Sequence, residues 1–169
     1  MRNGEEDMRR SIRLMALAAA LATAAPLGLL TAGIASARET FVPMNQISRR
    51  CDFSETDYNG PTGYARATSV VRTSGSNLSA EVTMDTAIPN MRYDVRLIQV
   101  PRPSSAPCLG GDPGVAAGVL QIDGVGHGRV SVQDSIEPGA TGAWVWITRP
   151  DPFSQNPAEF YTSDVVVKF

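Results

Sequence analysis

Histidine and cysteine are scarce in this chain of 169 residues, and that scarcity excludes several kinds of site. His127 is the only histidine, and Cys51 and Cys108 are the only cysteines. Because a zinc or copper site needs several such ligands, we predict no metal and no cofactor. Catalysis by a serine, histidine and acid triad would have to use His127. The chain also lacks the G-x-S-x-G elbow of the α/β-hydrolases.

Lysine and helical periodicity are also scarce in this chain. Lys168 is the only lysine, and residues 38–169 hold 11 basic and 14 acidic residues, a net charge of −3. This balance excludes a basic surface for nucleic acid or for anionic lipid. No stretch after residue 37 repeats with a helical period, which excludes the crossover helices of a parallel α/β fold.

The first 37 residues have the three parts of a secretory signal peptide. Three arginines within residues 9–13 precede an apolar run over residues 14–30, and an A-x-A sequence ends at Ala37. We predict cleavage between Ala37 and Arg38. The mature chain, residues 38–169, would be one domain, secreted or attached to the cell envelope and not stably inserted in a membrane.

Three alternatives for this leader stay open. Acids at residues 5–7 are unusual in a signal peptide, so translation from Met8 is a hypothesis. The Arg9-Arg10 pair allows twin-arginine export as well as ordinary secretion. An uncleaved anchor over residues 14–37 would be long enough to span a bilayer, but Pro26, the two glycines inside it and the A-x-A end favour cleavage.

Two cysteines in an exported chain predict one disulfide, Cys51–Cys108. The bond would close a loop of 57 residues. On the chain-entropy account it would stabilise the domain by roughly 4 kcal/mol.

Short strands separated by turns fill the mature segment. The sharpest alternation runs from Leu78 to Asp85, and a turn over residues 73–77 joins it to a strand over residues 63–72. The other predicted strands are a weak one near Phe41 and those over residues 91–97, 119–123, 128–132, 141–148 and 160–169. Strands so spaced, without helices, predict an all-β immunoglobulin-like sandwich of seven or eight antiparallel strands.

One stretch resembles a known group of proteins. The sequence Asn90-x-x-Tyr93-x-Val95-x-Leu97, followed by Cys108, Gly118-x-Leu120 and Asp123-x-x-Gly126-x-Gly128, is similar to small exported bacterial β-sandwich proteins, many of them actinobacterial. The resemblance covers about residues 78–132 and implies the fold, with no assigned activity. Superoxide-dismutase-like sandwiches share some of this pattern, but their metal-binding histidines have no counterpart here.

Trp144 and Trp146 are the candidate binding residues. Two positions apart on one strand, they share a face, while Ala143, Val145 and Ile147 take the other. If the small and aliphatic residues face the core, both indoles stand on the outer face as a stacking platform for sugar rings or a protein. The alternative is that both faces of the strand are covered, one of them by a proline-rich loop or by the surface of another molecule. The loop from Pro101 to Pro113 is the predicted neighbour of the binding surface.

Weaker patterns give two further alternatives. His127 with loop carboxylates could act as a hydrolase, and Asp112, Asp123, Asp134 and Asp151 could supply oxygens to calcium, although they lack the usual D-x-D-x-D spacing. The alternating residues from Tyr161 to Phe169 also match the last strand of a small outer-membrane barrel.

The sequence therefore predicts a secreted, non-enzymatic β-sandwich of the envelope or extracellular space, a binding or structural module. Its predicted partner is an envelope glycan or another envelope protein.

Overall fold

The strand that the sequence predicts most clearly is the centre of one sheet. Leu78, Ala80, Val82 and Met84 are buried on one side of strand β3 (Asn77–Asp85), while the residues between them are partly exposed. Adjacent β2 (Arg66–Ser74) has the same alternation, so the two strands bury one continuous, mostly apolar face.

The computed structural model describes residues 37–58, 60 and 63–169, so residues 1–36 of the predicted signal peptide lie outside it. Ala37 is exposed and Arg38 begins the first strand; cleavage between them stays a prediction. The described residues form nine strands and no helix, so no described helix could cross a membrane. The strands are β1 Arg38–Asn45, β2 Arg66–Ser74, β3 Asn77–Asp85, β4 Arg92–Val100, β5 Val115–Gln121, β6 Gly128–Ser135, β7 Gly142–Arg149, β8 Glu159–Ser163 and β9 Val167–Lys168.

The antiparallel strands make two sheets that share β1. The first sheet has the order β1-β2-β3-β6, and the second has the order β5-β4-β7-β8. Residues Arg38 to Pro43 of β1 pair with β2, whereas Met44 and Asn45 pair with β8. One strand therefore joins the sheets along one side of the molecule.

The opposite side is closed by packing between β5 and β6. A Cβ atom built on Gly118 would lie only 2.7 Å from Cγ1 of Val132. Because glycine has no side chain, β6 can approach β5 closely there. The paired sheets are consequently nearly barrel-shaped.

The main core fills the space between the sheets. It is built from inward-facing residues of every long strand, among them Val42, Leu78, Val82, Tyr93, Leu97, Leu120, Val145 and Ile147. Each of these side chains is fully buried. Burying them supplies the main driving force for folding.

The all-β antiparallel architecture and the Cys51–Cys108 disulfide are confirmed. The immunoglobulin-like arrangement is not shown. In an immunoglobulin constant domain the first sheet has the strand order A-B-E-D, so the second and third strands of the chain lie in different sheets. Here β2 and β3 form a hairpin within one sheet.

The predicted final strand is divided into two. Between the pairs Trp146–Thr162 and Ala143–Val167, β7 advances by three residues while its partner advances by five. The two extra residues form a bulge that separates β8 from β9 along the same edge of β7.

Candidate ligand-binding groove

The two tryptophans lie on the outer face of the second sheet, as their alternation on β7 predicts. Ala143, Val145 and Ile147 face the main core. Of the two possibilities that the sequence leaves open, exposure does not hold for Trp144, which is 0 % exposed, and Trp146 is half-buried. The alternative interpretation, in which other parts of the chain cover the face, is the correct one.

The cover consists of two loops that the disulfide joins. Loop L1 (residues 46–58) follows β1, and loop L2 (residues 101–114) connects β4 to β5. Their cysteines bond at an S–S distance of 2.01 Å. The loops and the outer face of the sheet enclose a second apolar cluster, here called the outer cluster: Ile98, Val100, Cys108, Val115 and Trp144, with Cys51, Phe53, Trp146 and Val166 packed against them.

Three aromatic rings run through the outer cluster. Phe53 of L1 packs its edge against Trp144, with ring centroids 5.5 Å apart. Trp144 stacks on Trp146 at 5.7 Å, and the two planes differ by 24°. Both distances lie within the favourable range for aromatic pairs.

A guanidinium group closes each end of this series. Cζ of Arg49 lies 3.9 Å from the ring centroid of Phe53, and Cζ of Arg96 lies 4.1 Å from that of Trp146. Arg96 and Trp146 are direct cross-strand neighbours on β4 and β7. We call the ordered series of Arg49, Phe53, Trp144, Trp146 and Arg96 the cation–aromatic stack. Cation–π attraction favours both ends of it.

The backbone of Phe53, whose ring packs on Trp144, adopts a strained conformation. Its φ of 74° lies in the left-handed region, which bulky residues rarely adopt. The conformation is held by a tight turn in which the Phe53 amide donates to the carbonyl of Arg50. The Phe53 carbonyl in turn accepts a hydrogen bond from Arg49. Such strain costs roughly 1–3 kcal/mol and persists only where the surroundings enforce it.

A groove runs across the outer face of the second sheet, from β5 to β8. It consists of three adjoining cavities of about 400, 330 and 380 Å³. The first two share Asp94, Arg96, Leu109 and Thr148, while the last two share Trp146, Gln155, Asn156 and Pro157. Four strands spaced about 4.8 Å apart give it a length of roughly 15 Å.

Arg96 lines two of these cavities without a carboxylate partner among the described residues. One Nη donates to the carbonyl of Cys108 at 3.1 Å, which ties the side chain to L2. Nearby Asp94 pairs instead with Arg92 at 2.8 Å. Burial lowers the pKa of Arg96 and Asp94 opposes the shift; the group remains a cation at neutral pH.

Arg49 lines the third cavity and is 7 % exposed. One Nη donates to the carbonyl of Phe53 and lies 3.5 Å from the exposed carboxylate of Glu55. Its Nε is buried with no hydrogen-bond partner among the described residues, and the same holds for Nε1 of Trp146. Buried donors are usually satisfied, so these two are unusual, and Nε1 of Trp144 and Nε of Arg102 are unpartnered in the same way.

The predicted neighbouring loop forms a different cavity. L2 and the turn after β6 enclose about 550 Å³, and five prolines form part of the walls: Pro101, Pro103, Pro107, Pro113 and Pro138. The polar groups of its buried Gln99 are already bonded to Asp134, Ser135 and Glu137. Of the charged residues that line it, Arg102 donates to the carbonyl of Pro107 and Asp112 accepts the amide of Leu109, so both are engaged within L2.

His127 lies at the far end of the first sheet, away from the cation–aromatic stack. Its Nδ1 is 2.8 Å from a carboxylate oxygen of Asp85, and both side chains are exposed. Among the described hydrogen bonds, no serine, threonine or cysteine contacts the imidazole. The structure thus places a histidine beside an acid but brings no nucleophile to them.

The four aspartates considered as an alternative calcium site are not brought together. Asp123 accepts the amides of His127 and Val125, and these hydrogen bonds, His127 first, lower the pKa of its carboxyl. Asp112 and Asp151 likewise accept amides of their own loops, whereas Asp134 binds Gln99. Within the described part of the chain, no group of three His, Cys, Asp or Glu side chains could hold a metal.

Glu159, which the sequence analysis missed, is a carboxylate buried beside two tyrosines of the main core. Glu159 is 3 % exposed and accepts hydrogen bonds from the hydroxyls of Tyr93 and Tyr161 and from Nε of Arg149. Burial, and then the bond to Glu159, raises the pKa of both tyrosines. No cavity described above reaches this network, and we interpret it as structural.

Sequence reasoning also missed Arg49, Phe53 and Arg96. The only available signal for Arg96 was its place opposite a tryptophan on a neighbouring strand, which requires the pairing of β4 with β7. Loop L1 has no periodicity, so nothing in the sequence could place Phe53 on Trp144.

Comparison with known proteins gives no match: no family model, no curated protein and no solved structure is similar to this chain at a meaningful level.

Proposed function

We propose that this protein is a secreted, non-enzymatic module of the cell envelope or extracellular space that binds an envelope glycan in the groove over the cation–aromatic stack. One observation carries the proposal: of three adjoining cavities, two are lined by the half-buried Trp146, and amide, hydroxyl and charged side chains lie along their walls. An aromatic floor with a few polar groups is typical of ligand sites.

A binding module agrees better with the observed residues than a hydrolase. The cavities around Trp146 contain no histidine or cysteine, and the single imidazole lies elsewhere with only Asp85 beside it. The two aspartates of the lining are already engaged, Asp94 with Arg92 and Asp151 with the amide of Phe153. General acid–base chemistry needs groups within hydrogen-bond reach of the reacting atoms. We therefore place recognition, without catalysis, in the groove.

The lining favours a glycan over an extended peptide. Peptides commonly bind a sheet by adding a strand to a free edge, but β4 and β7 are paired on both sides beneath the groove. Recognition must therefore come from side chains. Gln155 and Asn156 offer amide donors and acceptors beside the indole of Trp146, a combination suited to the hydroxyls and the apolar face of a sugar ring.

The direct test measures the binding of isolated envelope glycans to the mature protein, by isothermal titration calorimetry and by the change in tryptophan fluorescence. Trp146→Ala should abolish binding because it removes the floor of two cavities. The double variant Gln155→Ala/Asn156→Ala should weaken binding, and both variants should keep the far-ultraviolet spectrum of the native fold.

Phe153→Ala is the matched control. Phe153 belongs to the same loop as Gln155 and Asn156 and is 97 % exposed, yet it lies outside the three cavities. Binding should be unchanged in this variant. If Phe153→Ala weakens binding as much as Trp146→Ala does, the site is the exposed loop and the groove proposal is wrong.

A further inference from the structure

We propose that the groove selects acidic glycans and that Arg96 binds a uronate carboxylate of the ligand, with Arg49 providing a second anion contact on the other side of Trp146. This inference rests on the proposed function and names the class of glycan that the same groove takes.

Arg96 is the first reason. A half-buried guanidinium without a carboxylate partner is costly, because desolvation of a charge is offset only by hydrogen bonds or an opposite charge. The carbonyl of Cys108 accepts one of its donors, and the face of Trp146 covers one side of the group. Asp94 and Asp151 line the same cavity, but no described carboxylate lies within ion-pair distance of Arg96, and Asp94 is paired with Arg92. A planar donor group held in this way matches the two oxygens of a carboxylate.

Arg49 is the second and independent reason. Its side chain is more than nine-tenths buried and lines the third cavity, and its Nε has no partner among the described residues. Its salt bridge reaches only Glu55, whose side chain is 64 % exposed and well screened by water. The strained backbone of Phe53 holds the ring on which this guanidinium lies.

The order of the residues along the groove fits an oligomer. Arg96 lines the second cavity, Arg49 lines the third, and Trp146 lines both. The two cations are therefore separated by an aromatic floor. A sugar ring stacked on the indole would place acidic groups of its neighbours toward a guanidinium on each side, which a neutral glycan cannot exploit.

The test compares short oligogalacturonates with the same oligosaccharides after reduction of their carboxyl groups, alongside isolated neutral envelope glycans. Titrations use the disulfide-intact mature protein at low and at high salt. We expect the acidic oligosaccharide to bind on the order of tenfold or more tightly than its reduced form, because charge-assisted hydrogen bonds are lost. The preference should shrink at high salt.

Three variants separate charge from structure. Arg96→Gln should remove most of the acidic preference while the reduced oligosaccharide binds as before, and Arg96→Lys should keep part of the preference because the charge remains. Arg72→Gln is the matched control, since Arg72 is an ion-paired arginine on the first sheet. Thermal unfolding of each variant shows whether the fold is retained.

The outcomes distinguish the two proposals. If acidic and reduced forms bind equally, or if Arg96→Gln and Arg96→Lys leave the preference unchanged, selection of acidic glycans is wrong and the binding groove stands. If the neutral envelope glycans alone bind, the same conclusion follows. If no glycan of either kind binds, the proposed function fails, and the inference fails with it.

Discussion

The two faces of the second sheet bury apolar side chains in different ways. On the inner face, residues from every long strand meet across the space between the sheets, and each contributes through simple alternation. On the outer face, Trp144 and Ile98 are covered by two loops whose cysteines are joined. The inner core thus depends on strand periodicity, whereas the outer cluster depends on long-range connections between irregular segments.

This difference has a functional meaning. A close-packed core between sheets has no room for a ligand. A face covered by loops can leave gaps between the loops, and the groove at Trp146 lies in such a gap. Binding residues are commonly carried by loops on a rigid scaffold, which agrees with this arrangement.

The largest effect should come from the inner core. Glu159→Ala would leave the hydroxyls of Tyr93 and Tyr161 and the guanidinium of Arg149 without their shared acceptor. Breaking such a buried ionic network typically costs about 3–5 kcal/mol. Urea unfolding measures this change. Glu159→Gln is the control and should cost less, because an amide oxygen still accepts some of these bonds.

Removal of the disulfide should affect the outer face selectively. We expect Cys51→Ala/Cys108→Ala to lower the free energy of unfolding by roughly 2–4 kcal/mol through the entropy of the unfolded chain. Acrylamide should quench tryptophan emission weakly in the native protein and more strongly in the variant, because L1 and L2 are no longer tied over the indoles. Unchanged quenching would mean that the loops cover Trp144 without the covalent bond.

Alkaline pH should lower the free energy of unfolding through Tyr93 and Tyr161 of the main core. Their pKa values are raised in the folded protein, so the unfolded chain loses its tyrosine protons first, above a pH of about 10. The stabilisation is therefore complete below that pH and is lost as the pH rises beyond it. Tyr93→Phe should cost about 1.5–3 kcal/mol at neutral pH and make the alkaline loss less steep. Urea unfolding across this pH range gives both quantities, and an equal slope in the variant would contradict the assignment.

The smallest effect should come from His127 and Asp85, an exposed pair that belongs neither to the main core nor to the outer cluster. His127→Ala should change the free energy of unfolding by no more than about 0.5 kcal/mol, since surface substitutions away from special contacts are nearly neutral. Asp85→Asn serves as the partner variant. A large destabilisation in either one would show that the end of the first sheet contributes more than its exposure indicates.

Much of the fold followed from local pattern. The alternation from Leu78 to Asp85 predicted β3, the turn before it predicted the hairpin with β2, and the two cysteines predicted their bond. The outward orientation of Trp144 and Trp146 also followed from the period of a strand. Their burial did not, because alternation says which face a side chain takes and nothing about what covers that face.

The sequence by itself determined the strands, the faces of those strands and the disulfide, because each depends on residue spacing or on residue count. Only the tertiary structure decided which strands are neighbours, and therefore that Arg96 lies on Trp146 and that Glu159 meets Tyr93. It alone also brought Arg49 and Phe53 to the outer face. These contacts join residues far apart in the chain, and their pairing is set by the free energy of packing the whole domain, which no local pattern contains.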